Sequence, residues 1–499
     1  MSTTINRPGA DDVAVLPGAP RTGRARASAA RLLSRLPRAD IVIPLVAMAI
    51  LAPLYAALSL RNHAELRTTG FDLGIFVEEA KAYAELRAPV VPLLGPGYNA
   101  LGDHFSPAMA LFGPLFRVFP SAQTLLVAQA VLFALAVVPL SRWAVRSLGV
   151  GAGIVVAIGY GLSWGVQAAL NFDFHEIALA VPLLAFSVTA LGNRRWTAAL
   201  LYALPLVFVK EDLGLTVAVI GALVAFWTPG TMRRWGLATI VWGLGWTALA
   251  VKVIVPALSA DGQYGQASKL PSGGIASAVD AVTNGVIGGD PRAATLFLLL
   301  LVTGFAALRS PLVLVAVPTL AWRFVSDNTS FWGPVFHYSA VLMPIMFAAL
   351  IDALVRGRRD GWFTDRGRRV VLAVVAVVAL VATPSLPLAK LAQADTWRPN
   401  AQVTAVHALA AQIPHGATVA ASNNLIPQLA ADHAVSVFPR RVGGVVGGNV
   451  DTDWIVVNVG DPPGWPRDAD GDREALRDAR AAGYVEVGNR DGLLLLRRQ

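Results

Sequence analysis

The chain has no cysteine, so neither disulfides nor thiolate chemistry can enter its function. It is also poor in charge. Asp, Glu, Lys and Arg make up only 15% of its 499 residues, where a soluble protein carries roughly a quarter. Two histidines four apart, the spacing of a zinc-binding helix, do not occur. No glycine-rich loop of the nucleotide-binding type is present, and Gly273-Gly274 and Gly288-Gly289 read as loop flexibility. No basic stripe is interleaved with aromatics, which argues against a nucleic-acid surface.

What is present is apolar: 55% hydrophobic residues and a mean hydropathy of +0.56, with many runs near the ~20 residues that cross a bilayer. This is the composition of a polytopic membrane protein. The formal charge is +9, but acidic residues outnumber basic ones from Asp395 onward, so all of the positive excess lies upstream. Cytoplasmic loops that obey the positive-inside rule account for it.

The sequence divides accordingly into a disordered basic cytoplasmic tail at 1–38, a transmembrane region at 39–392 and a small extracytoplasmic α/β domain at 393–499. The apolar runs number about eleven, beginning with 41–60, which is too long for a signal peptide. Residues 72–87 have helical spacing, and 107–118 is apolar but too short to span. Both read as helices lying along the outer membrane surface. Residues 258–292 read as a Gly/Ser-rich loop. In the last hundred residues, helices at 402–412 and 473–482 alternate with strands at 417–421, 435–438 and 454–459. A hairpin turns at Asn489-Arg490-Asp491-Gly492.

A single threading, fixed only by the arginines at inward span ends, places Asp72, Asp103-His104, His175-Glu176, Lys210-Glu211-Asp212 and His337 on one side of the membrane. Polar groups so placed are candidates for chemistry. Asp72 is either a helix cap or a general base for an acceptor hydroxyl. Asp103-His104 is either a cap and turn or a catalytic pair, and carboxylate plus imidazole is also a common ligand set for a divalent cation. His175 and Glu176 follow Asp173 at the start of an inward span. Lys210, Glu211 and Asp212 are three consecutive charges between apolar runs with hardly any loop, which requires partners. Arg323 either snorkels to the surface or contacts phosphate, with Lys252 and Lys269 as weaker phosphate candidates. His337 and Tyr338 are hydrogen-bonding groups for a pocket rim.

These blocks, Phe71-Asp72-Leu73-Gly74, Asp103-His104-Phe105-Ser106-Pro107, Phe174-His175-Glu176, Lys210-Glu211-Asp212 and His337-Tyr338, resemble the signatures of a family of multi-pass membrane proteins, the domain of unknown function numbered twenty seventy-nine. That family in turn resembles the GT-C glycosyltransferases. The resemblance implies a polytopic helical fold with membrane-parallel helices in the first outer loop and a C-terminal α/β domain outside the membrane. It implies transfer of a sugar from a polyprenyl-phosphate donor to an extracytoplasmic glycan or protein acceptor, in the inner or plasma membrane with a cytoplasmic N-terminus. By position Asp72 would match the first-loop catalytic acid, and Lys210 or Arg323 the phosphate partner. The acidic doublet usual in those enzymes is absent at Asp72. A transporter or flippase of lipid-linked precursors is the competing expectation. It would place ionisable residues within spans and break helices in two related halves.

Overall fold

The computed structural model describes residues 38–269, 274–439, 452–466 and 468–499. The basic tail assigned to 1–38 lies, but for Arg38, outside the described residues. Asp40–Gln499 fold as one compact unit.

Each apolar run expected to span contains a helix, although the one at 293–308 breaks after Leu301, where Gly304 and Phe305 take positive φ. Among the described residues six helices are long and apolar enough to cross a membrane: α1 (Ala39–Ala64), α4 (Ala122–Leu148), α5 (Val150–Asn171), α9 (Gly230–Leu258), α13 (His337–Arg359) and α14 (Asp365–Ser385). Shorter apolar helices occupy the other runs: α6 (Glu176–Gly192), α7 (Trp196–Phe208), α8 (Leu213–Trp227), α11 (Pro291–Leu301) and α12 (Pro311–Val325). In the first loop lie α2 (Ile75–Ala84) and α3 (Pro107–Val118).

The helix stops are legible in the residues. Gly149, at φ 99°, ends α4 and starts α5 without an intervening loop. Helices α8 and α9 form a tight hairpin because Gly214 faces Gly243, where an added Cβ would lie 2.2 Å from the Gly214 carbonyl. Only small residues let two backbones approach so closely. Helix α13 is the axis of the bundle, with 89% of its apolar window buried, against 11% for α14 at the periphery. One expectation is corrected: the loop at 258–292 contains a helix, α10 (Gly274–Ile287). Val279, Val282 and Val286 recur there at helical spacing, a signal masked by the flanking glycines.

After α14 the chain builds a five-stranded sheet in the order β2-β1-β3-β5-β4. Strands β1 (Thr418–Ala421), β2 (Ala434–Val437) and β3 (Trp454–Asn458) run parallel, while β4 (Tyr484–Arg490) and β5 (Leu493–Arg498) add an antiparallel hairpin. Its turn is the one expected, with Asp491 at φ 49° and Gly492 at φ 80°. Helices α15 (Ala401–Ala410), α16 (Ile426–Leu429) and α17 (Ala469–Ala481) complete the layer. One face of the sheet has its own small core of Ile455, Val457, Leu476 and Leu496. On the other face, Val419, Val435, Val456 and Leu495 are continuous with the core of the helical bundle. The sheet is therefore fastened to the bundle by burial, not tethered by a linker.

Candidate active site

The first loop begins with one wide turn, Gly70–Gly74, in which Phe71 leaves helical geometry (φ −82°, ψ 43°) before α2 continues. Turns of this width gather at functional sites. Here the turn is held from outside. The backbone N–H groups of Gly70 and Phe71 donate to Asn423 Oδ1 at 3.0 and 3.1 Å. Ile426 of α16 wedges against Gly70 and Gly74, where an added Cβ would lie 2.5 and 2.8 Å from its side chain. Lys81 Nζ donates to the carbonyls of Ala430 and His433, and Glu78 accepts from the Val435 and Leu93 N–H groups. Asn423, Ile426 and His433 all belong to the C-terminal layer.

Asp72, so placed, meets His175 with 3.0 Å between Oδ1 and Nε2. The loop carrying His175 is fixed by Gln129, which donates to the Asp173 carbonyl and accepts from the His175 N–H. Thr69 donates to Asp173 from both its N–H and its hydroxyl. His337 stacks on His175 with ring centroids 3.5 Å apart, and Phe172 stacks on both. The His175 ring is thus packed against His337 and Phe172 and tied to the carboxylate of Asp72.

A second group lies across the same space. Lys210 Nζ is 2.5 Å from Glu176 Oε1. Glu211 is a hub. It accepts from the Phe105 N–H at 3.0 Å and from the Tyr264 hydroxyl at 3.0 Å, and it lies 2.9 Å from His104 Nδ1. Gln266 Nε2 faces His104 Nε2 at 3.3 Å, and its own Oε1 accepts from Lys269 at 2.6 Å. Because Lys269 claims the amide oxygen, the amide N–H₂ faces the imidazole.

Both groups line one cavity of about 510 Å³. Asp72, Asp103, His104, His175, Glu176, Lys210, Glu211, Asp212, His337 and Tyr338 all face it. Arg323 does not. It is fully buried behind the wall, and its guanidinium donates to the carbonyls of Phe331 and Gly333 and to the Ser339 hydroxyl. That network orders the 331–339 loop that carries His337. Lys252 is likewise absent from the lining, whereas Lys269 belongs to it. The cavity also takes in Glu79, Tyr98, Asp261, Tyr264 and Gln266, which sequence reasoning did not single out. For Glu79 a signal existed, since it lies two helical turns after Asp72 and so shares its face. Tyr264 and Gln266 lay in a segment read as bare loop.

Burial and charge set the protonation of these groups. Burial pushes Asp212 up to about 6, with Glu211 and Glu176 adding to the effect against Lys210. Burial acts on Glu211 in the same sense, but His104 and Lys210 outweigh it and hold the carboxyl at about 2. Burial would lower Lys210, yet Glu176, Glu211 and Asp212 raise it above the ordinary lysine value. His104 is raised because Glu211 and Asp103 outweigh burial and Lys210. Asp173 is raised by burial and by the charge of Asp72. Glu79 is raised well above the ordinary carboxyl value by burial, then by Glu176 and Asp103. Among the described residues no group of three or more His, Asp or Glu is arranged to hold a metal ion.

A helical bundle, a first loop that brings a carboxylate to a cavity at the helix ends, and an α/β layer packed on that loop make up a GT-C-like fold. The chain is similar to the crystal structure of ArnT from Cupriavidus metallidurans in the apo state, with a TM-score of 0.54 and 14% identity over 91% of this chain and 97% of that one. It is also similar to the same protein bound to undecaprenyl phosphate, with a TM-score of 0.51 and the same identity and coverage. The chain belongs to the family described as Predicted membrane protein (DUF2079), whose model matches residues 62–495. No curated protein matches it. The family and fold expected from the sequence are the ones found.

Proposed function

We propose that this protein is a glycosyltransferase that moves a sugar from a polyprenyl-phosphate carrier to an acceptor hydroxyl outside the cytoplasm. The observation that carries the reading is the convergence of the Asp72–His175 pair and Lys210 on one cavity. The binding of undecaprenyl phosphate by the structurally similar ArnT supports the same donor class.

In this mechanism Asp72 takes the proton of the acceptor hydroxyl. The oxygen attacks the anomeric carbon, and the bond from that carbon to the phosphate oxygen breaks with its electron pair on the phosphate. A positioned base of this kind contributes about 10²–10⁴-fold. His175 holds the Asp72 carboxylate in one orientation, and the stacked His337 and Phe172 keep that imidazole from turning. Lys210 and Lys269 supply positive charge for the departing phosphate from the cavity wall. The cavity and the C-terminal layer face the extracytoplasmic side, and the arginine-rich loops face the cytoplasm.

The test is Asp72→Asn in cells, read by mass spectrometry of envelope glycans. Loss of a glycan substituent at unchanged protein level is expected. An unaltered glycan profile would overturn the enzyme reading.

A further inference from the structure

The cavity presents a problem for an anionic ligand. Asp72, Glu79, Asp103, Glu176, Glu211, Asp212 and Asp261 line it, against the cations Lys210 and Lys269 and three imidazoles. Lys210 is already matched by Glu176, and the imidazoles of His104 and His175 face Glu211 and Asp72. A phosphate entering here needs hydrogen donors that bring no negative charge.

Glu79 meets that need. Its side chain is 1% exposed yet lines the cavity, and its Oε1 has no hydrogen-bond partner. A buried carboxyl oxygen without a partner is rare, and in its protonated form such a group is a hydrogen donor. Glu79 lies on the same face of the first-loop helix as Asp72, two turns on, so the two carboxyl groups border one space along a single rigid element. Their surroundings differ. Asp72 is held by the imidazole of His175, whereas Glu79 has Glu176 and Asp103 as charged neighbours and Tyr83 along its own helix. The cation next to Glu176, Lys210, is bound to Glu176 itself. A carboxylate held by an imidazole suits a base, and a buried carboxyl crowded by two others suits an acid.

We propose that Glu79 is the hydrogen donor to the phosphate of the bound lipid and its acid during transfer. This rests on the glycosyltransferase reading. As the bond from the anomeric carbon to the phosphate oxygen breaks, that oxygen keeps the electron pair and takes the Glu79 proton, leaving a phosphomonoester monoanion and a Glu79 carboxylate. Asp72 has gained the acceptor's proton in the same cycle, and exchange with water resets both.

The test uses undecaprenyl phosphate binding to the full-length protein in nanodiscs, between pH 5 and 9, for wild type, Glu79→Gln and Glu79→Leu. The ligand's own ionisation is common to all three and cancels in the comparison. Glu79→Gln keeps an N–H donor, so it should bind within a few-fold of wild type while losing the decline in affinity that wild type shows as Glu79 ionises. Glu79→Leu should bind about ten- to a hundredfold more weakly. A Leu variant that binds as tightly as wild type, or a Gln variant that keeps the full wild-type pH slope, overturns this assignment alone. Wild type that binds no undecaprenyl phosphate at any pH overturns the parent reading and this one together.

Discussion

The carboxylate of Asp72 and the imidazole of His175, 103 residues apart in the chain, meet with 3.0 Å between oxygen and nitrogen. The contact is made by two loops with independent supports: Asn423 behind the first, Gln129 behind the second. A base needs its orientation fixed before the substrate arrives, and this pair has it. Replacing Asp72 by Asn should lower transfer by about 10²–10⁴-fold. His175→Ala should lower it less, because the carboxylate remains and only its orientation is lost. Radiolabel transfer in isolated membranes would measure both, and a His175→Ala loss exceeding that of Asp72→Asn would assign the base to the imidazole.

Lys210 and Glu176 form an ion pair at 2.5 Å with side chains only 12% and 2% exposed. Removing one partner strands a buried charge, which is far costlier than the pair is beneficial. Lys210→Ala should lower stability by about 3–5 kcal/mol. Adding Glu176→Gln should recover most of that loss. Thermal unfolding in detergent reads both, and an unrecovered double variant would show that Lys210 supports the fold through other contacts.

Asp212 gives the protein a pH signature. Its folded value, about 6, lies above the unfolded 3.8, so the folded state holds the extra proton between them. Stability from this group therefore falls as pH rises from about 4 to about 6, by at most about 3 kcal/mol, and is level above that. Glu211 acts in the opposite sense at lower pH, since its folded value of about 2 is depressed and its contribution is lost on acidification below the ordinary glutamate range. Asp212→Asn should accordingly be more stable than wild type at pH 7, with the advantage gone by pH 4. Equal melting temperatures at pH 7 would contradict the burial of this charge.

Asn423 is the point at which the C-terminal layer touches the chemistry. Asn423→Ala removes the side-chain acceptor for two N–H groups of the Gly70–Gly74 turn, at about 1–3 kcal/mol. Hydrogen exchange in residues 69–76 should quicken and transfer should fall, while undecaprenyl phosphate still binds. Asn423→Asp, which retains the acceptor, should restore both. Unchanged exchange in Asn423→Ala would leave the turn held by Ile426 and the main chain alone.

Much of this was legible in the residues because membrane chains are written in long apolar words. The eleven runs, the charges at their ends and the Asp491-Gly492 turn each follow from local periodicity or backbone preference. The arginine threading placed Asp72, His175 and Lys210 on one side of the membrane, and their shared cavity emerges only in the structure. Partnership was not legible. Arg323 carries the residue type of a phosphate ligand, yet three separate acceptors on the 331–339 loop consume it. Gln266 and Tyr264 reach the cavity only because their segment folds back onto His104 and Glu211, a long-range contact with no period to reveal it. The 426–429 wedge is too short to have a periodicity of its own.

Ile426 occupies the space that a side chain at either Gly70 or Gly74 would need. Knob and socket therefore have to be inherited together. A chimera that grafts the tail module of one homologue onto the bundle of another would keep Asp72 and its cavity partners and, on the proposed mechanism, still aim the base at the wrong spot.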